Sequence, residues 1–167
     1  MSTDMNKIVD KFKALGLGEK IILIAGPLLF IDSFLPWYKY DVAGFGGPSK
    51  SGWGGDGGIF SILAVLAALV MAAQITVARF TTVKMPALPQ GFTWPKVHLG
   101  LAGIAAVGVV LRFIIGESTA GFDADRTFGL FIGVVVVAAL AVGGFLMFRE
   151  EMAASGGASR GTGTGTS

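Results

Sequence analysis

Four long apolar runs, at about 20–38, 59–78, 97–115 and 128–148, dominate the polar and apolar pattern of the chain. A helix of about 20 apolar residues at ~1.5 Å per residue crosses a hydrocarbon slab ~30 Å thick, so each run predicts a membrane-spanning helix. From Ile21 to Leu35 the only strongly polar interruption is Asp32. Pro36 stops that run, and Trp37 and Tyr38 are amphipathic rings of the kind expected at headgroup level. Upstream, Met5, Ile8, Val9, Phe12 and Leu15 recur at helical spacing, with Asp4, Lys7, Asp10, Lys11 and Lys13 largely on the opposite side. This predicts a short amphipathic helix within residues 1–19, capped by Ser2 or Thr3, ended at Gly16 or Gly18, and lying flat on the membrane surface. A partner-docking helix is the other reading of that segment. The bulky FLPWY end lacks the small residues that a signal-peptidase site needs, so the first run is expected to be retained.

Between the first two runs, YDVAGFGGPSKSGWGGDGG interleaves Tyr40, Val42, Phe45 and Trp53 with glycines. Flexible linkers carry no such rings, so Tyr40, Phe45 and Trp53 are expected to fold a cap over the bundle mouth, in the form of a short irregular hairpin. No GK[ST] follows the glycines, so a phosphate cradle is not indicated. In the second run Ala64, Ala68 and Ala72 recur every fourth residue, and in the fourth Gly129 and Gly133 form a GxxxG pair. Such small-residue rows let helix backbones approach closely where lipid is as apolar as leucine, so both are read as packing faces. Pro86, Pro89 and Pro95 stiffen the loop before the third run, and Trp94 beside them is expected as an interface anchor like Trp37 and Tyr38. Residues 151–167 are polar and of low complexity, and are expected to be disordered.

Composition sharpens this picture. At 53% hydrophobic and 14% charged, against about 25% charged in soluble domains, the 167-residue chain is better explained by a bilayer than by a water-soluble core. Zero cysteines exclude disulfides, thiolate catalysis and iron–sulfur ligation, and a net charge of +2 gives no footing for nucleic acid. With the N-terminus inside, the inner segments hold Lys7, Lys11, Lys13, Lys20, Arg79, Lys84, Lys96, Arg149 and Arg160, and the outer loops hold Lys39, Lys50 and Arg126. Nine against three follows the positive-inside rule and predicts a multi-pass plasma-membrane protein with both termini cytoplasmic.

Ionisable groups within membrane runs are the first places to look for function, because each is costly in lipid unless paired. Asp32 and Arg112 lie near the outer ends of the first and third runs, at depths differing by about 3 to 5 Å, and an ion pair between them is one expectation. In the other, Arg112 reaches outward to Glu117 or Asp123, and Asp32 bonds locally beside Ser33. His98, the single histidine, is read as an interfacial anchor, and Gln74 as a hydrogen-bonding group within the bundle. Asp123 and Asp125 form a D-x-D in the outer loop that is read as solvated, so no metal or cofactor is expected. No nucleophile is set with a base, and neither H-E-x-x-H nor G-x-S-x-G occurs, which argues against an enzyme.

The GEKIIL opening, the run ending in FLPWY, the aromatic Gly-rich loop and a last run ending in GGFLMFREE resemble a group of small four-helix membrane proteins of actinobacteria that carries no assigned activity. The resemblance covers about residues 17–151, rests chiefly on Phe34 to Tyr38 and Gly143 to Glu151, and implies the four-helix layout. The layout is also similar to claudin-like tetraspan proteins, but the paired loop cysteines of that group are missing here. The expected fold is therefore an all-α membrane protein: an interface helix (1–19), a four-helix transmembrane bundle (20–150) with a small Gly-rich outer cap, and a disordered inner tail. By elimination, the expected function is a non-enzymatic scaffold or accessory subunit that binds lipids, other membrane proteins or copies of itself. The alternative is a small channel or transporter subunit, including a homo-oligomeric one.

Overall fold

The structure, a computed structural model, describes residues 2–41, 44, 46–119 and 122–158. Helix α1 (Ser2–Lys13) carries the amphipathic pattern and leaves Met5, Ile8 and Val9 exposed. It meets α2 (Leu17–Asp32) at 116°. The turn between them is fixed by Glu19, which accepts the Gly16 amide at 3.0 Å and so caps α2. The side chains of Ser2 and Thr3, the expected caps of α1, lie outside the described residues.

Helix α2 ends earlier than its apolar run. Pro36 disfavours helix in the residue before it, and the chain leaves α2 through a turn in which Ser33 N–H bonds Leu29 O and Leu35 N–H bonds Asp32 O, each at 2.9 Å. The turn leads into a strand, β1 (Pro36–Lys39). It pairs antiparallel with β2 (Ser49–Ser51) on one side and with β5 (Asp125–Arg126) on the other, and Tyr38 stands opposite both Lys50 and Arg126. The expected hairpin is thus two strands of a three-stranded sheet whose third strand comes from the far end of the chain. A second, two-stranded pair, β3 (Ser118–Thr119) with β4 (Phe122–Asp123), sits beside it.

Helices α3 (Gly58–Phe80), α4 (Trp94–Ile115) and α5 (Phe128–Ala158) complete a ring in which α2 packs on α3 and α5, and α4 on the same two. Ile22, Leu29, Met71, Val109, Leu130 and Leu140 fill its centre. Ala64, Ala68 and Ala72 all face inward. A side chain at Gly26 would meet Ala68 O at 2.9 Å, and one at Gly108 would meet Phe60 O at 2.5 Å, so α3 takes α2 and α4 at backbone distance. Outward, each helix shows bulky apolar groups such as Ile24, Leu66, Val107 and Val135, the surface a hydrocarbon solvent requires.

Three helices, α3, α4 and α5, are long and apolar enough to cross a membrane; α2 reaches that length only when joined to α1, which gives three spans or up to four. With 16 residues, about 24 Å, α2 alone falls short of a ~30 Å slab, because residues 33–38 became turn and strand. Helix length and hydropathy thus make the chain a candidate multi-pass membrane protein. At the other end α5 runs on to Ala158, so residues 151–158 are helical where disorder was expected; alanine-rich sequence propagates a helix already nucleated in the bundle. The rest of the expected tail, 159–167, lies outside the described residues.

Candidate functional site

The polar groups with chemical potential gather under the cap. Trp37 and Tyr38, expected at headgroup level, are completely buried. The indole of Trp37 donates to Asp32 O at 3.1 Å and lies in a niche made by Gly129 and Gly133. A Cβ at Gly129 would stand 2.9 Å from Trp37 Cδ1, and one at Gly133 would stand 3.1 Å from Trp37 Cζ2. The GxxxG of α5 is therefore a seat for an aromatic ring of the cap. Each ring has a large apolar body and one polar atom with a partner, a combination as well suited to a buried pin as to a headgroup.

Tyr38 donates its hydroxyl to Arg112 O, and the Arg112 guanidinium lies over its ring, 4.6 Å from the centroid. Arg112, at the last turn of α4, is wholly buried. Its Nη1 donates to Glu117 Oε2 at 2.8 Å and its Nη2 to Gly54 O at 2.7 Å. The partner of Arg112 is thus Glu117, brought back over the helix end by the turn at Gly116, whose φ is +73°. The Asp32–Arg112 pair does not form.

Glu117 is the hub of the cap. Its Oε1 accepts Lys50 Nζ at 2.8 Å, the Asp56 amide at 3.1 Å and the Tyr40 hydroxyl at 3.3 Å. Burial pushes its carboxyl up, but the bonds from Lys50 and Asp56 and the charge of Arg112 outweigh this and hold it below the usual carboxylate value. The Lys50 ammonium is correspondingly raised by Glu117 and Tyr40. Gly55 passes so close that a Cβ there would stand 2.1 Å from Glu117 Oε1, and its φ of +81° already favours glycine. The loop is further tied down by Gly52 N–H to Ser33 O at 2.9 Å, by Trp53 Nε1 to Ser33 Oγ at 2.8 Å, and by Ser61 to Gly52 O. Trp53 packs against Phe30 and Phe34. Tyr40 and Trp53 therefore belong to the cap, whereas Phe45 lies outside the described residues.

Asp32 stands apart. The residue is 3% exposed, and neither carboxylate oxygen has a hydrogen-bond partner among the described residues. The local bonding expected beside Ser33 is also absent, since the Ser33 hydroxyl turns back to Phe30 O.

At the opposite end Arg79 Nε bonds Glu19 Oε1 at 2.7 Å, Thr93 Oγ1 bonds Glu151 Oε2 at 2.8 Å, and His98 Nε2 meets Gln74 Oε1 at 2.8 Å. His98 is buried between α3 and α4 instead of anchoring at an interface, and Gln74 is its partner. Trp94 is half-buried at the first turn of α4. Between α3 and α4, on the outer face of the bundle, an apolar groove of about 440 Å³ runs past Leu63, Gly100, Gly103, Val107 and Leu111. Side chains built at Gly100 and Gly103 would meet nothing within 4 Å.

Chemically, the cap cluster sets its charges against one another, with Arg112 and Lys50 both bonded to Glu117. Among the described residues no three His, Asp or Glu side chains gather as a metal site, and Asp123 and Asp125 are both exposed. Glu117 and Arg112 were within reach of the sequence, five positions apart, but Lys50 and Gly55 join them only through the sheet. No protein-family model, no curated protein and no solved structure matches this chain.

Proposed function

We propose that this chain is a non-enzymatic subunit or scaffold of a membrane assembly, and that it receives a partner's transmembrane helix in the α3–α4 groove. The observation that carries this reading is the open pair Gly100 and Gly103. Ala64, Ala68, Ala72, Gly129 and Gly133 are spent inside the bundle or under Trp37, whereas Gly100 and Gly103 face outward and a Cβ on either would meet no described atom within 4 Å. In lipid, helix association depends on such close backbone approach. The mutual pairing of Arg112, Lys50 and Glu117 in the cap supports a structural role for that end of the molecule.

A channel or transporter subunit is the second reading, favoured by the buried Asp32. The centre of a single bundle is filled by Met71, Val109 and Leu140, so a path would have to run between copies. The absence of native cysteine makes the test clean. A single cysteine at position 103 should cross-link to a partner helix in native membranes, and Gly103→Leu should abolish co-purification of that partner while leaving the thermal unfolding of the chain unchanged. Cross-linking to lipid alone, or a partner retained by Gly103→Leu, would defeat the proposal. A cross-link solely between two copies would shift the weight to a homo-oligomer, with conductance in liposomes as the next measurement.

A further inference from the structure

Asp32 is the one aspartate of seven that is buried: Asp4, Asp10, Asp41, Asp56, Asp123 and Asp125 are all exposed. The groups around it supply no counter-charge. From β1, Trp37 spends its N–H on the Asp32 carbonyl and Tyr38 bonds Arg112 O, while Lys39 is exposed. From α4, Arg112 is committed to Glu117 and Gly54. From α3, Ser61 bonds Gly52 and Gly58 carbonyls. The half of α5 that faces the site, Phe128 to Leu140, contains no ionisable residue. Within α2, Glu19 and Lys20 lie at the far end of the helix. Among the described residues no Lys, Arg or His nitrogen comes within 4 Å of the carboxylate. A charged carboxylate so placed would bear its full desolvation cost with nothing to offset it.

We propose that Asp32 is a proton-binding site, occupied when Trp37 is seated in the Gly129–Gly133 niche and emptied when the cap lifts. The geometry links the two events. Asp32 Oδ2 lies 3.0 Å from where a Cβ of Gly133 would be, and the same position is 3.1 Å from Trp37 Cζ2, so carboxyl and indole both lie against Gly133. With the ring seated, no water reaches the carboxyl and the neutral acid persists. Displacing Trp37 admits water, the O–H bond of the acid breaks, and the proton passes to that water and leaves a hydrated carboxylate. The bound proton therefore stabilises the closed cap, and its loss favours the open one. A lone carboxylate with no further ligand suits a proton better than a metal ion.

Infrared spectroscopy of the full-length protein in lipid nanodiscs tests this, with aspartate labelled by 13C at the side-chain carboxyl. A protonated-carboxyl band that shifts with the label comes from an aspartate, and Asp32 is the one that is buried. That band is expected at neutral pH in the wild type, absent from Asp32→Asn, and lost as the pH is raised. In a Trp53→Phe, Trp94→Phe background the emission of Trp37 should shift to longer wavelength over the same pH range, and Asp32→Asn should abolish the shift. No label-sensitive band at neutral pH, or the same emission shift in Asp32→Asn, would overturn the proposal. The labelled wild type decides the first point even if Asp32→Asn fails to fold.

Discussion

The two ends of the bundle hold their polar groups in opposite ways. At the cap end, Arg112 and Glu117 have no exposed side-chain surface, and they tie a loop to a helix terminus through bonds that converge on one carboxylate. At the opposite end the contacts are separate pairs, each joining two neighbouring helices: Glu19 with Arg79, Gln74 with His98, and Thr93 with Glu151. A convergent network fails as a unit when its centre is removed, whereas separate pairs fail one at a time. The contrast explains how the glycine-rich stretch 49–58 is held, since its contacts run to Glu117, Arg112, Ser33 and Trp37.

The largest effect expected from this contrast is at its centre. Glu117→Ala leaves the Arg112 guanidinium buried without its carboxylate, and should cost about 3–5 kcal/mol in thermal or denaturant unfolding in detergent. The same site sets the acid limit of the cap. Because the folded Glu117 carboxyl lies below its usual value of 4.5, its stabilisation is complete at higher pH, begins to fall below that value, and is gone once the pH has passed the folded one. Trp53 emission, or protease access to the loop, should report that loss, and Glu117→Ala should remove it.

A smaller effect is expected at the opposite end. Gln74→Leu strips His98 Nε2 of its partner inside the bundle and should cost about 1–3 kcal/mol, read by the same unfolding measurement. Smallest is Arg79→Ala, expected at about 0–1 kcal/mol because the Arg79 side chain is 56% exposed and its ion pair with Glu19 is screened. If Arg79→Ala proved as damaging as Glu117→Ala, the distinction between network and pairs would fall.

The sequence made the apolar helices plain, because α3, α4 and α5 carry their signal within their own residues. It hid the end of α2. From Ile21 to Tyr38 the run is interrupted only by Asp32 and Ser33, and nothing local says that Trp37 has a glycine niche waiting on α5 or that β1 has a partner at Asp125–Arg126. Pairings across most of the chain leave no periodic trace. The buried charges were half legible. Depth along the helices brought Asp32 and Arg112 near one another, but partner choice turned on the positive-φ turn at Gly116, which returns Glu117 to the helix end. The α5 extension was masked by composition, since AASGG reads as low complexity although its alanines continue a helix begun in the bundle.

The central place of β1 in its sheet bears on biogenesis. Its neighbour β2 begins ten positions after β1 ends, but β5 and the glycine seat on α5 emerge from the ribosome only after α3 and α4. Synthesis runs from the N-terminus, so β1 must wait with one edge unpaired and Trp37 unseated until the last helix arrives. Closure of the cap then marks a chain that has been made through α5. A nascent protein truncated before α5 would keep that strand edge and that tryptophan open to chaperones and membrane proteases.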